Sequence, residues 1–471
     1  MSTLNNSATD ELYCISPSTG KIYAQRSIST SLQINDALTK AKAAQNNWRK
    51  LSLSQRKAFC TKAVSHLVSQ SQELANEISA MMGRPISQCK GEIAGLEERA
   101  SYMIDICEQA LCPLTVEEKP GFKRYITREA LGCVFVIAPW NYPYLTAINS
   151  IVPALLAGNT VLLKHAQQTL VCAERFQAAF DAIGLPEGVF QHLHLSHQQA
   201  ADIIGSGQIN YVAFTGSVAG GKAIEQAAVG QFIGVGLELG GKDPAYIRQD
   251  AQLDDAVATV VDGGMFNSGQ SCCGIERVYV HHSIYQAFID KAVALIQQYQ
   301  LGPSEAASTN LGPMVSDKAA AFLRKQIQQA ISQGAVAHIN SNDFPYAKEN
   351  TPFVAPQLLS NVDHSMRVMT EESFGPLIAV QSVASDSEAI ELMNDSEFGL
   401  SAAIFSEDLV AAETIGAQLE TGTVYVNRCD YLDPALAWTG VKNSGRGCSL
   451  SKLGFEQLTR PKSFHIKSNT P

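Results

Sequence analysis

The 471-residue sequence has no C-x-x-C pair among its eleven cysteines, which run from Cys14 to Cys448, and no paired cysteine and histidine sets at zinc-ligand spacing. A zinc or disulfide framework is therefore not expected, and the pattern matches a reduced cytosolic chain. Long apolar runs are missing too. The longest, residues 151–163, is interrupted by Pro153, Gly158 and Asn159, whereas crossing a bilayer takes about 20 apolar residues. Residues 1–10 are polar and lack the basic and apolar regions of a signal peptide, so a cytoplasmic location is expected. Basic residues are in the minority, 35 Lys and Arg against 45 Asp and Glu. The resulting charge of −10 argues against nucleic acid or an anionic membrane as partner. There is no repeat of fixed period and no low-complexity stretch. What remains is a chain 45% hydrophobic and long enough, at roughly 100 to 200 residues per domain, for several domains around a large core.

Apolar residues fall at helical spacing from about residue 34 to 110, as in Ile34, Leu38 and Ala41, then Val64, Leu67, Leu74 and Ile78, with Gly83 and Pro85 as punctuation. The pattern then changes to short apolar runs, 133–138, 159–164, 189–195, 209–215 and 233–239, which read as strands with helices between them. Strand and helix alternating in this way predict βαβ units and an open parallel sheet. A second alternating block follows, with strands at 277–281 and 377–383 and helices at 284–298, 317–333 and 387–394, and it predicts a second α/β domain. The boundary near residue 240 is a Gly-Gly rather than a long linker.

Three short motifs carry chemistry. Gly269-Gln270-Ser271-Cys272-Cys273 lies between an expected helix and a β-branched strand, so Cys272 stands at an element end where backbone donors can lower a thiol pKa. Two adjacent cysteines are also what a small buried apolar pair looks like. Glu238-Leu239-Gly240-Gly241-Lys242 ends an expected strand, where open α/β sheets bind ligands. A glutamate inside that apolar run has a raised pKa suited to a general base, unless it is a capping or ion-paired residue. Pro139-Trp140-Asn141-Tyr142-Pro143 follows the first strand of the βαβ block and presents an amide that can donate to a developing oxyanion, or simply makes a rigid turn.

In this order the three motifs resemble the aldehyde dehydrogenase superfamily, over about residues 12 to 467. The resemblance implies a Rossmann-type parallel-sheet cofactor domain (1–110 and 129–240), a second α/β catalytic domain (241–445) and a small β oligomerisation element (111–128 and 446–471). It implies Cys272 as nucleophile, Glu238 as general base, and Asn141 with the Cys272 N–H as the oxyanion hole. Aldehyde would be oxidised to carboxylic acid through a thiohemiacetal and a thioester, the latter hydrolysed by water that Glu238 activates. A CoA-acylating enzyme would not need that base, and a non-catalytic NAD-binding protein of the same fold would not need all three residues.

For the cofactor the resemblance implies Trp140, Lys164, Gln167, Gly216, Ser217, Gly221, Leu239, Glu372 and Phe374. Gly216, Ser217 and Gly221 close a strand and open a helix, which lets backbone approach a pyrophosphate. Glu372 would hold the nicotinamide ribose and Phe374 would pack on the ring. Where family members often carry a glutamate that repels a 2′-phosphate, this chain has Gln167, so NAD with NADP tolerated is expected. The candidate substrate-facing residues are Thr146, Asn149, Ser271, Arg428, Tyr431 and Trp438, with Arg428 as a partner for the carboxylate of a semialdehyde. The stretch Ala437-Trp438-Thr439-Gly440 departs from the family pattern and predicts an altered tunnel wall. The expected partner is a small aldehyde, aliphatic or ω-carboxylic, and the expected assembly a homodimer or homotetramer. No metal is expected: His192, His194 and His197 lack a completing carboxylate or cysteine. Cys273 beside Cys272 suggests a vicinal disulfide that would switch activity off.

Overall fold

The computed structural model describes residues 11–467. The polar start, 1–10, and the end of the expected oligomerisation element, 468–471, lie outside the described residues. The N-terminal helical region consists of the helices Ser31–Trp48, Leu53–Ser69, Ser71–Met82 and Ile86–Leu111. Thr30 with Gln33 and Ser52 with Gln55 form capping boxes that satisfy the first backbone donors of the first two. Gly83, at φ 83°, ends the third in the left-handed conformation, and Pro85 starts the fourth.

Two sheets follow. The six-stranded one runs in the order Gly445–Arg446, Gly234–Glu238, Tyr211–Thr215, Cys133–Ala138, Thr160–His165 and Phe190–His192, parallel throughout except for Gly445–Arg446. Its central strand is buried on both sides. Val134, Val136 and Ala138 join a core with Met81, Ile93, Leu96 and Phe176. Cys133, Phe135 and Ile137 join another with Ile34, Leu38, Ile203 and Ile224. Such two-sided burial is what makes the strand read as a continuous apolar run. The seven-stranded sheet has the order Val336–Ala337, Gln357–Ser360, Leu377–Val383, Ile275–His281, Asp243–Ile247, Ser401–Phe405 and Thr423–Val426, parallel apart from Val336–Ala337. The chain passes from one sheet to the other through Leu239–Lys242, so the Gly-Gly at the expected boundary is the crossing itself.

Several strands were not expected. Asp243–Ile247, Gln357–Ser360 and Ser401–Phe405 are short and carry prolines or serines at their ends, which blurs their apolar pattern. The expected strand at 189–195 shrinks to Phe190–His192. The N-terminal hairpin of Glu11–Ile15 and Ile22–Ser27 is half exposed and also escaped the periodicity. The tail strand Thr459–Lys467 pairs antiparallel, residue by residue, with Phe122–Ala130 of the same chain, and Tyr125 stacks on Phe464 at 4.7 Å. In the resulting sheet, with Leu114–Thr115 on the other side, the tail strand stands at an edge. Among the described residues no helix is long and apolar enough to cross a membrane.

Candidate active site

The carboxyl ends of the parallel strands in the first sheet face the segment Phe266–Gly274, which links the helix Leu253–Met265 to the strand Ile275–His281. Asn267, Ser268 and Gly269 are all left-handed, at φ 53°, 56° and 68°, and this turn presents Cys272. Two cavities meet there. One, about 650 Å³, is bounded by Trp140, Lys164, Gln167, Gly216, Ser217, Glu372 and Phe374; the other, about 470 Å³, lies on the far side of the cysteine. Cys272, Glu238, Leu239, Thr215 and Thr146 line both. All eleven cysteines are free thiols.

The glycines at the crossing are dictated by space. A Cβ on Gly241 would collide with the carbonyl oxygen of Cys272, and one on Gly240 would collide with the Glu372 carboxylate. Only glycines let the strand end, the cysteine turn and the Glu372 loop come together. Lys242, one residue on, is buried in an ion pair with Glu276 and donates to Ser373 Oγ at 3.0 Å. Glu276 in turn accepts from the N–H groups of Ser373 and Phe374, which fixes the loop that carries Glu372.

Glu238 stands at the end of its strand with one carboxylate oxygen accepting from Thr215 Oγ1 at 3.1 Å and the other from Ser449 Oγ. Burial raises its pKa above the usual carboxylate range, and the two hydroxyls and the Arg99 charge pull in the other direction. Ser449 is itself held by backbone hydrogen bonds to Trp438, Trp438 N–H to Ser449 O at 2.8 Å and Ser449 N–H to Trp438 O at 2.9 Å. Trp438 thus contributes to the cavity wall with its ring and to the base with its backbone.

Asn141, also buried, is fixed from below by a polar network. Its carbonyl accepts from Arg84 Nη2 and from Asn267 Nδ2, while Arg84 pairs with Glu92 and donates to Asn267 Oδ1 at 3.0 Å. Glu92 Oε1 also accepts from the N–H of Tyr144 at 2.7 Å, at the start of the helix Pro143–Leu156. One buried ion pair therefore ties together the asparagine turn, the cysteine turn and that helix. The Asn141 amide makes a single long bond, 3.3 Å to Gln270 O, and the Cys272 N–H has no acceptor among the described residues. Two donors are left free beside the thiol, which is what an oxyanion needs.

On the cofactor side, Lys164 is buried, its pKa is pushed down by burial to about 8, and among the described residues its ammonium has one bond, 3.4 Å to His165 O. An ammonium so poorly partnered fits a polyhydroxyl or phosphate ligand. Ser217 caps the helix Val218–Ala228, accepting from Gly220 N–H at 3.1 Å, and Gly221 packs tightly against Leu239. Phe374 and Trp140 meet edge to face at 5.5 Å. Glu372 accepts from Gly241 N–H at 3.0 Å, and burial lifts its pKa to about 8. Gln167 is exposed and donates to Tyr13 O at 3.0 Å. This cleft has the donors, the aromatic wall and the helix N-terminus that a nicotinamide dinucleotide requires.

Of the residues expected to face substrate, Thr146, Asn149, Ser271, Tyr431 and Trp438 line the smaller cavity. Arg428 does not, which corrects the expectation: it is exposed and its guanidinium lies over the Tyr431 ring at 3.9 Å, outside the wall. Cys273 donates to Asp430 Oδ1 at 2.8 Å, and its hydrogen bond to Cys272, then burial, hold its thiol far above the usual range. His194 pairs with Glu174 at 3.0 Å, and the described residues contain no cluster of metal ligands. Sequence reasoning missed Arg84, Glu92, Arg99, Thr215, Asp430 and Ser449. Two of these follow one stripe: Glu92 and Arg99, with Gly95 between them, recur at helical spacing on the cavity side of Ile86–Leu111, charged where an inward stripe should be apolar.

The aldehyde dehydrogenase family model matches residues 4–464, and the chain belongs to that family. It is 33% identical over 447 residues to the NAD(P)+-using succinate semialdehyde dehydrogenase Sad of Escherichia coli K12, a match that covers 94% of this chain and 95% of that protein. It is 30% identical to the betaine aldehyde dehydrogenase of Bacillus subtilis 168, over 90% of this chain and 87% of the relative. The crystal structure of succinic semialdehyde dehydrogenase from Streptococcus pyogenes with NADP+ superposes with a TM-score of 0.93 at 28% identity, covering 97% of this chain and all of that one. The protein is an NAD(P)-dependent aldehyde dehydrogenase of the doubly wound α/β type.

Proposed function

We propose that this enzyme oxidises an ω-carboxylic semialdehyde to the dicarboxylic acid, with Cys272 as nucleophile, Glu238 as base, and the Asn141 amide and Cys272 N–H as oxyanion donors. The observation that carries the roles is the meeting of two cavities at Cys272, with Glu238 held between Thr215 and Ser449 at the same junction. Thiolate attack from the cysteine turn places the carbonyl oxygen against the two free donors. In general, each donor of this kind contributes about 2.7–4 kcal/mol to the transition state. NAD(P)+, when bound in the larger cavity, supplies the hydride acceptor that turns the thiohemiacetal into a thioester. Glu238 then takes a proton from water, the water oxygen attacks the thioester carbon, and the C–S bond breaks to return the Cys272 thiolate. A free thiol as acceptor in place of water would leave Glu238 without a task.

Support for the substrate class comes from relatives named for succinate semialdehyde and from the buried Arg99 and Asn149 on the wall of the smaller cavity. NAD with NADP tolerated follows from Gln167, a neutral group beside the under-partnered Lys164. The dinucleotide-binding domain takes residues 1–110 and 129–240, the catalytic domain 241–445, and assembly into a homodimer or homotetramer in the cytoplasm uses 111–128 with 446–471, where the edge of Thr459–Lys467 is open for a second copy. The test is nicotinamide reduction by the purified protein with NAD or NADP and matched aldehydes, with and without CoA. CoA-independent turnover, lost by about 10⁴-fold or more in Cys272→Ala while cofactor still quenches protein fluorescence, is the expected result. Aldehyde oxidation retained in that variant would overturn the mechanism.

A further inference from the structure

The smaller cavity holds a cation that makes no ion pair with any of the described residues. Arg99 projects from the helix Ile86–Leu111 into the wall and is 9% exposed. Its Nη1 donates to Leu145 O at 3.3 Å, and this is its one hydrogen bond among the described residues. Nε and Nη2 have no acceptor, and neither is sealed in protein as an orphaned buried atom would be. These two nitrogens form the side-on edge of the guanidinium, the edge that fits both oxygens of a carboxylate. The other arginine on the wall, Arg84, is spent on Glu92, Asn267 and the Asn141 carbonyl.

The same wall has a second unspent group. The side-chain amide of Asn149, 4% exposed, makes no hydrogen bond with the described residues, and its Oδ1 is fully enclosed. Asn149 lies one turn beyond Leu145 on the helix Pro143–Leu156, so it shares the face that Arg99 touches. The acids of this cavity are placed otherwise. Asp430 is occupied by Cys273 and Ser271, Glu98 accepts from Tyr431 at the exposed mouth, Asp262 is exposed there as well, and Glu238 sits at the cysteine.

We infer that Arg99, with Asn149 beside it, is the specificity-determining receptor for the carboxylate of an ω-carboxylic aldehyde whose carbonyl lies at Cys272. This rests on the aldehyde oxidation proposed above and names the group that reads the far end of the substrate. An amino aldehyde would place its cation against this arginine and is disfavoured by the same geometry.

The test compares succinic semialdehyde with butanal, equal in length and lacking the charge. In Arg99→Met the ratio of the two kcat/KM values should fall about 30-fold, within the worth of a hydrogen-bonded charge pair, with the loss in KM for the semialdehyde and not in kcat. Arg99→Lys should restore part of it, and Asn149→Ala should lose less in the same direction. Should Arg99→Met not fold, succinate as a competitive inhibitor of butanal oxidation by the parent enzyme, weakened by salt and by Arg99→Lys, reads the same site. Equal losses on both aldehydes would assign Arg99 to the thiolate and base and overturn the inference. So would a parent enzyme that oxidises butanal as well as the semialdehyde, or one that prefers an ω-phosphorylated aldehyde. A parent that oxidises no aldehyde would overturn the proposed function itself.

Discussion

The two cavities that meet at Cys272 are built in different ways. The cofactor cleft is made from the ends of four adjacent parallel strands, Cys133–Ala138, Thr160–His165, Tyr211–Thr215 and Gly234–Glu238, and the turns that follow them. The substrate cavity is made from the side of one long helix, the first turns of a second, the helix Leu253–Met265 with the cysteine turn after it, and the stretch from Cys429 to Trp438, pieces drawn from across the chain. In the first, position is set by sheet geometry and backbone, so a short motif carries its own placement. In the second, each group is placed by tertiary packing, and a change in one piece alters specificity without touching the chemistry.

The largest effect that separates the two is expected at Glu238. In Glu238→Gln the thiol still attacks, but hydrolysis of the thioester should slow by about 10²–10⁴-fold, the usual worth of a general base. Rapid mixing should show a burst of reduced nicotinamide approaching one per active site, followed by a slow steady state. Loss of the burst together with turnover would mean that Glu238 serves acylation instead. Arg84→Met tests the framework beneath both cavities. Leaving Glu92 charged and buried without its partner should cost about 3–5 kcal/mol of stability, read as a fall in the denaturation midpoint. Because Arg84 and Glu92 also fix the asparagine and cysteine turns, activity per folded molecule should fall as well; unchanged kcat would confine the pair to a structural role.

What the sequence made legible follows the same division. The strands 133–138 and 377–383 were placed to the residue, since a strand buried on both faces is an unbroken apolar run bounded by turns. The roles expected of Asn141, Glu238 and Cys272 fell at strand ends and turns that the structure does bring together, as did Lys164, Glu372 and Phe374. Arg428 shows the limit. Nothing local distinguishes an arginine that enters a cavity from one that stacks on a neighbouring tyrosine at the surface, and the arginine that does enter, Arg99, lies on a helix about 330 residues earlier in the chain. Ser449 was invisible for a similar reason, since its hold on Glu238 depends on an isolated bridge to Trp438.

That hold can be measured. Ser449 donates to the Glu238 carboxylate and so lowers a pKa that burial has raised. Removing the hydroxyl leaves burial less opposed, the carboxylate is harder to form, and the acidic limb of the pH profile for hydrolysis should move to higher pH. In Ser449→Ala a displacement of about one pH unit is expected, equivalent to 1.36 kcal/mol between the two protonation states. Turnover at neutral pH should fall accordingly and recover in alkaline buffer. A limb that stays in place, or moves to lower pH, would detach Ser449 from the base.

The smallest effect is expected at the distant end of the cofactor cleft. Gln167→Glu puts a carboxylate on the rim that Lys164 shares, while giving up the donor to Tyr13 O. A 2′-phosphate would then meet a negative charge in a half-exposed setting, where a weakening of roughly tenfold in kcat/KM for NADP is reasonable, and NAD should change far less. The native enzyme offers a control without mutation. With its pKa near 8, Lys164 is charged below that pH and neutral above it, so whatever preference it gives a 2′-phosphate should fade as pH rises through 8. Bound phosphate favours the charged ammonium and should displace the midpoint upward. If the NADP to NAD ratio is flat across that range and indifferent to Gln167→Glu, the discrimination must lie elsewhere in the cleft, and the rim would be as illegible from local sequence as the substrate wall.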